Sequence, residues 1–184
     1  PIVTNVLDTS GILLGADTVF TTDVVRRRWL DNTLLGSSWT MSTSTDHVDH
    51  VYGVSSSTYE GDHFGELIWM SADAGAQPGD EYYRSVGKKR DLSLYGKWSG
   101  MQNDLRWHAE AQWRQVFYST RGRDNDYSDI DVRDNLSFFN PKAGLTYLPS
   151  DDRKAFISLA VAHREPSRAD YLDSPQNTPL RPER

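Results

Sequence analysis

Residues 105–117 read LRWHAEAQWRQVF, and their alternation decides the architecture. Leu105, Trp107, Ala109, Ala111, Trp113 and Phe117 alternate with Arg106, His108, Glu110, Gln112 and Arg114. A period of two places these sets on opposite faces of a β-strand. Burying such a row of polar groups in an apolar core is costly for every charge left unpaired, so that face meets water. The other face carries three aromatic rings and needs an apolar neighbour, either a second sheet or lipid.

The same rhythm extends in both directions. Upstream, Leu92, Leu94, Gly96 and Trp98 alternate with Asp91, Ser93, Tyr95 and Lys97, and a tight turn near 100–104 joins the two strands. Downstream, residues 138–166, FFNPKAGLTYLPSDDRKAFISLAVAHREP, read as two strands around a polar turn at 149–154. Ala143, Leu145 and Tyr147 mark the apolar side of the first, and Ala155, Ile157, Leu159 and Val161 that of the second. Strands are also expected over 24–45 and 50–59, which gives an all-β, antiparallel, up-and-down meander of about six long strands. Connections alternate between short ones at 46–49, 100–104 and 149–154 and long ones at 60–89 and 119–137. Short periplasmic turns on one side and long extracellular loops on the other are the plan of a transmembrane β-barrel. Six Trp and nine Tyr suit the aromatic girdles of such a wall, and Trp98, Trp107, Trp113 and Phe117 are its candidates here. The Thr-, Asp- and Gly-rich residues 1–23 read as a loop region with room for a small hairpin.

Composition narrows the function. A net charge of -6 argues against a nucleic-acid partner, which calls for a basic stripe. The run Arg26, Arg27, Arg28 reads as a solvated strand end. Without cysteine there is no disulfide framework, thiolate metal site or cysteine nucleophile. Asp124, Asp126, Asp129, Asp131 and Asp134 suggest calcium, but an EF-hand loop opening at Asp124 would have Asp129 where Gly is needed and Asn135 where Glu is needed. His47 and His50 lie on a turn, where their spacing does not converge on a metal. No GxSxG elbow, P-loop or GxGxxG pattern is present. The expectation is a protein that is not an enzyme, with no cofactor and no metal site.

FFNPKAGLTY followed by LAVAHREPSRADY resembles the late barrel strands of TonB-dependent outer-membrane receptors, in the branch common among Bacteroidetes. VVRRRWLDNTLLG at 24–36 and STYEGDHFGELIW at 57–69 fit the same family in the same order. The resemblance implies a piece of a barrel of about 22 strands that encloses a plug. It implies a Gram-negative outer-membrane receptor taking up a scarce nutrient such as a ferric siderophore, haem or cobalamin, or in some branches a glycan. The partners it implies are a small-molecule ligand such as an iron complex, outer-membrane lipid, and the TonB complex acting through the plug. Residues 1–184 are then a partial barrel domain, with 1–23 as loop region, 24–172 as strands and loops and 173–184 as loop. A start at Pro1 without a signal peptide, and an ending without a closing strand, suggest a fragment of a longer protein, with plug and TonB box elsewhere. On the long loops, His63, Tyr118, Arg121 and Arg123 are the expected contacts for an anionic or aromatic ligand. The alternative is a soluble extracellular β-sandwich, a lectin-like module in which every apolar face packs on a second sheet.

Overall fold

A computed structural model describes residues 2–6, 12–14, 17–19, 21–71 and 76–173. The strands are β1 (Ile2–Val6), β2 (Ile12–Leu14), β3 (Asp17–Val19), β4 (Thr21–Ser44), β5 (Val48–Met70), β6 (Glu81–Gln102), β7 (Leu105–Arg123), β8 (Asp129–Ser150) and β9 (Arg153–Ala160). One short helix, α1 (Arg168–Asp173), follows. Seven strands form one sheet in the order β1-β4-β5-β6-β7-β8-β9, with β1 and β9 at its two ends. From β4 to β9 this is the six-stranded antiparallel meander expected from the alternation, an open sheet that fits part of a β-barrel wall. The only other sheet among the described residues is the two-stranded β2–β3 hairpin.

The strands are longer than the alternation indicates. Of the connection expected at 60–89, all but residues 71–80 is strand, and of that expected at 119–137 only 124–128 lies outside strands. The physical reason lies in the side chains. Charged residues and glycines interrupt the apolar period in these segments, as at Glu60, Gly61 and Asp62 or at Asp134 between Val132 and Leu136, and Gly61, Gly65 and Gly87 look like breakers. Cross-strand ion pairs join them instead: Arg84 Nη1 lies 2.7 Å from Asp62 Oδ2, and Lys88 Nζ lies 2.8 Å from Glu60 Oε1. Gly65 serves packing, because a Cβ there would lie 2.3 Å from the Tyr83 ring and 2.5 Å from the Tyr82 ring. In the region read as loop, β1 pairs with β4 from Ile2↔Val25 to Val6↔Thr21, and β2 with β3 from Ile12↔Val19 to Leu14↔Asp17. The loop expected at the C-terminus, 173–184, lies outside the described residues except for its first.

The contacts divide the chain into two units. Unit 1 comprises Pro1–Thr33, Glu60–Lys88 and Thr120–Asp131; unit 2 comprises Leu34–Tyr59, Lys89–Ser119 and Val132–Arg184. Within unit 1, Val24, Leu67, Tyr83 and Ile130 are buried together with Ser85, Thr120 and Asp124. Within unit 2 the buried cluster is Val116, Leu136 and Phe138. Both cores are small, and many large apolar side chains stay exposed.

Candidate functional site

Unit 2 carries the two-faced sheet that the sequence describes. In the β8–β9 register Ala143 faces Leu159, Leu145 faces Ile157 and Tyr147 faces Ala155. Directly opposed residues point to the same side, so these side chains form one apolar face. Leu145 is 46%, Leu159 75% and Ile157 63% exposed. Trp113 and Phe139 are exposed as well, and the Trp113 indole donates to Ser137 Oγ at 3.0 Å. Trp98 donates its indole N–H to Tyr52 Oη at 3.1 Å, with the two rings edge-to-face 5.9 Å apart. Trp107 packs against the turn segment, where a Cβ on Gly100 would sit 3.0 Å from its indole. Of the four girdle candidates, Trp98 and Trp107 are half-buried near the short β6–β7 turn, while Trp113 and Phe117 are exposed. Such a quantity of exposed apolar surface marks an interface with a partner or a membrane.

The opposite face of unit 2 is polar and closely paired. Arg114 Nε donates to Asp91 Oδ2 at 2.9 Å and its Nη2 reaches Glu165 Oε2 at 3.3 Å, while Lys89 donates to the same carboxylate's Oε1. Gln112 donates to Ser93 Oγ at 2.8 Å and accepts from Asn140 Nδ2 at 3.0 Å. Lys97 and Lys142 lie 3.8 and 3.6 Å from Glu110 Oε1. They line a cavity of about 340 Å³ with Arg106, Trp107 and His108. The His108 ring fits there because Gly144 has no side chain: a Cβ would come within 2.4 Å of it. Of the row that called for water, Glu110, Gln112 and Arg114 are thus partnered within the sheet, while the His108 Nε2 is buried without a hydrogen-bond partner.

Residues 161–173 were not legible as what they are. The alternation carries the last strand through Val161, but β9 ends at Ala160, and beyond it only an isolated bridge at Arg164 continues the pairing. The chain then crosses the polar face: the His163 amide donates to Asn140 Oδ1 at 3.1 Å and its ring stacks on Phe138 at 6.0 Å. Ser167 and Asp170 cap each other at the start of α1, with the Ser167 amide donating to Asp170 Oδ2 at 2.6 Å and the Asp170 amide to Ser167 Oγ at 3.3 Å. This is a capping box with Asp in the Glu position. The Ser167 hydrogen bonds, backbone first, hold the Asp170 carboxyl below the usual range. Tyr171 stacks on Tyr118 at 5.0 Å and donates to Asp134 Oδ2 at 2.7 Å. Pro166 and the Ser-x-x-Asp spacing were the signals that could have ended the strand.

Unit 1 gathers cations and aromatic rings. Arg121 Nη2 lies 3.1 Å from Asp131 Oδ2 and Arg123 Nε lies 3.5 Å from Asp129 Oδ1. With Glu81, Tyr82 and Arg84 they line a depression of about 560 Å³. Arg84 donates to Glu81 through Nε at 3.0 Å and sits 4.5 Å over the Phe64 ring. The Tyr82 hydroxyl is buried without a hydrogen-bond partner, and the Arg26 guanidinium lies 5.1 Å from its ring centre. In the 124–128 turn, Asp126 Oδ1 accepts from Ser128 Oγ at 2.6 Å and from the Ser128 amide at 2.9 Å. These bonds, the hydroxyl's first, hold the Asp126 carboxyl below the usual range.

The four residues expected to meet a ligand are divided between the two units. Arg121 and Arg123 share one depression in unit 1, His63 lies on β5 in that unit outside the depression's lining, and Tyr118 lies in unit 2 beneath Tyr171. All four are on strands rather than in loops. Among the described residues no group of three or more His, Asp or Glu side chains gathers as a metal site. No helix of the described chain is long and apolar enough to cross a membrane, which says nothing of strands.

Comparison with known proteins gives one family. The family model described as TonB dependent receptor-like, beta-barrel, matches residues 4–184. No curated protein matches the chain.

Proposed function

The chain belongs to the TonB-dependent receptor β-barrel family, and on that premise we propose that it serves to draw a scarce nutrient, such as a ferric siderophore, haem or cobalamin, into the periplasm. The family works in the outer membrane, as receptors and transporters rather than enzymes. The observation that carries the reading is the two-faced sheet of unit 2, with exposed Leu145, Ile157 and Leu159 on one side and the paired Arg114, Asp91 and Gln112 on the other. Lipid suits the first face and a hydrated lumen the second. In this reading Trp98, Trp107, Trp113 and Phe117 hold the wall at the membrane interfaces. His63, Tyr118, Arg121 and Arg123 contact the ligand, and the TonB complex acts through a plug domain.

Uptake of labelled ferric siderophore, haem and cobalamin tests it in cells carrying the full-length receptor, with and without a working TonB complex. One compound is expected to enter, and only when TonB works. Entry of none of the three, or entry indifferent to TonB, would overturn this reading. For the site, His63→Ala and Arg121→Ala are each expected to weaken binding of that compound about tenfold, or about 1.4 kcal/mol. Unchanged affinity in both removes these residues from it.

A further inference from the structure

The segment 161–173 leaves the sheet to lie across its polar face, where its apolar contacts include the stacks of His163 on Phe138 and Tyr171 on Tyr118. None of its described side chains is fully buried. Besides these stacks it is held by polar contacts: the Val161 amide to the Pro141 carbonyl at 2.9 Å, His163 to Asn140, Tyr171 to Asp134, and Glu165 to two cations. Elements with little apolar burial open at low free-energy cost.

The Glu165 contact is a charge-balanced one. Arg114 and Lys89 face Asp91 and Glu165, and the four side chains are only 16–29% exposed. Asp91 belongs to β6 and stays with Arg114 whatever the segment does. Glu165 is the only member that the segment brings. If it leaves, two cations face one carboxylate in a partly desolvated place. An uncompensated charge there is costly, and an anion from solution removes that cost. A guanidinium fork beside an ammonium suits the oxygens of a carboxylate or a phosphate.

We propose that Lys89 and Arg114 form an anion site occupied internally by Glu165, and that a small molecule carrying a carboxylate or phosphate displaces Glu165 and frees residues 161–173. The segment is then a displaceable strap, and arrival of an anionic ligand on this face is what lifts it. The inference deepens the uptake reading, but its test needs no nutrient, so the two fail separately.

The test uses the full-length receptor in detergent, with spin labels on cysteines placed at Ala169 and at Asp151, both in unit 2. Electron-electron distance measurement reads the fraction of strap that has left the face. With Glu165 in place a single narrow distance is expected. Glu165→Gln is expected to raise the released-to-docked ratio about tenfold, between the small worth of an exposed ion pair and the larger cost of breaking a fully buried one. Lys89→Gln, which leaves the strap sequence intact, is expected to raise it in the same direction. Inorganic phosphate and acetate, added in turn against sodium chloride at equal ionic strength, are expected to release the strap where chloride does not. Whichever acts more strongly identifies the preferred oxyanion. In Lys89→Gln that preference over chloride is expected to vanish. A narrow distance that survives both substitutions would overturn the proposal. So would equal release by chloride, phosphate and acetate, which would mean salt screening alone.

Discussion

Replacing Leu145 by Arg separates a lipid-facing wall from a water-exposed sheet. Leu145 is 46% exposed and faces Ile157 on β9. In water, a substitution at so exposed a position changes stability by about 0.5 kcal/mol or less. In a membrane its depth matters. Leu145 is five positions before the end of β8 at Ser150. That distance is about 17 Å along the strand at about 3.3 Å per residue. A tilt of about 45° turns this into about 12 Å of height, the middle of an apolar band about 25 Å tall. An arginine at the midplane of such a band costs about 2–4 kcal/mol. The matched control is Thr146→Arg, because Thr146 shares its side of β8 with Lys142, on the polar face. Urea unfolding of the full-length receptor in vesicles is the assay, with the heat-dependent gel mobility of folded barrels as a check on assembly. The expected result is a loss of about 2–4 kcal/mol for Leu145→Arg and under about 1 kcal/mol for Thr146→Arg. Equal small losses for the two variants would refute the reasoning, since neither face would then be in lipid.

Four further outcomes follow from particular positions. Gly122 has φ +131° and a Cβ there would lie 2.3 Å from the Arg84 carbonyl oxygen, so Gly122→Ala is expected to cost about 2–4 kcal/mol in urea unfolding. Gly87→Ala, whose Cβ would meet nothing nearer than 3.9 Å, is expected to cost at most about 1 kcal/mol. Since the Asp126 carboxyl is held low by Ser128, its contribution to the 124–128 turn is present above the ordinary aspartate range and lost as pH falls through the lowered value. The Ser128 amide proton shift is expected to report that loss in acid, at a pH below that of a free aspartate, and Asp126→Asn is expected to abolish the titration. Tyr171→Phe removes the bond to Asp134 while keeping the stack on Tyr118, and is expected to cost about 1 kcal/mol of strap docking, read by protease protection of 161–173.

What could be read in the sequence was whatever one apolar face encodes. The strands around Leu92 to Trp98, Leu105 to Phe117, Ala143 to Tyr147 and Ala155 to Leu159 alternate because one side meets apolar surroundings, and each is found as strand. Where charged residues and glycines interrupt it, as at Glu60, Gly61 and Asp62 or at Asp134 between Val132 and Leu136, that period breaks although the ladder continues, so β5, β6, β7 and β8 were all read too short. Gly65 looked like a breaker because its purpose, room for the Tyr82 and Tyr83 rings, is a cross-strand relation with no local signature. The strap was hidden for the same reason: Glu165 gains its meaning from Lys89 and Arg114, far away in sequence. That Arg121 and Arg123 partly balance the acidic residues 124–134 was legible from their nearness in sequence, and the strand pairing adds which carboxylates they meet, Asp131 and Asp129.

The most direct measurement is cysteine labelling of the full-length receptor in intact cells, with single cysteines at Leu145, Gln112 and Asp126. A wall with lipid on one face and water on the other requires that Leu145→Cys react with a lipid-soluble maleimide and resist a charged one. Gln112→Cys should resist the lipid-soluble reagent in the membrane and react with the charged one once the protein is unfolded in urea, and Asp126→Cys should take the charged reagent from outside the cell. Equal reaction of the charged reagent at Leu145→Cys and Asp126→Cys would contradict a membrane wall and leave the exposed apolar face to a protein partner.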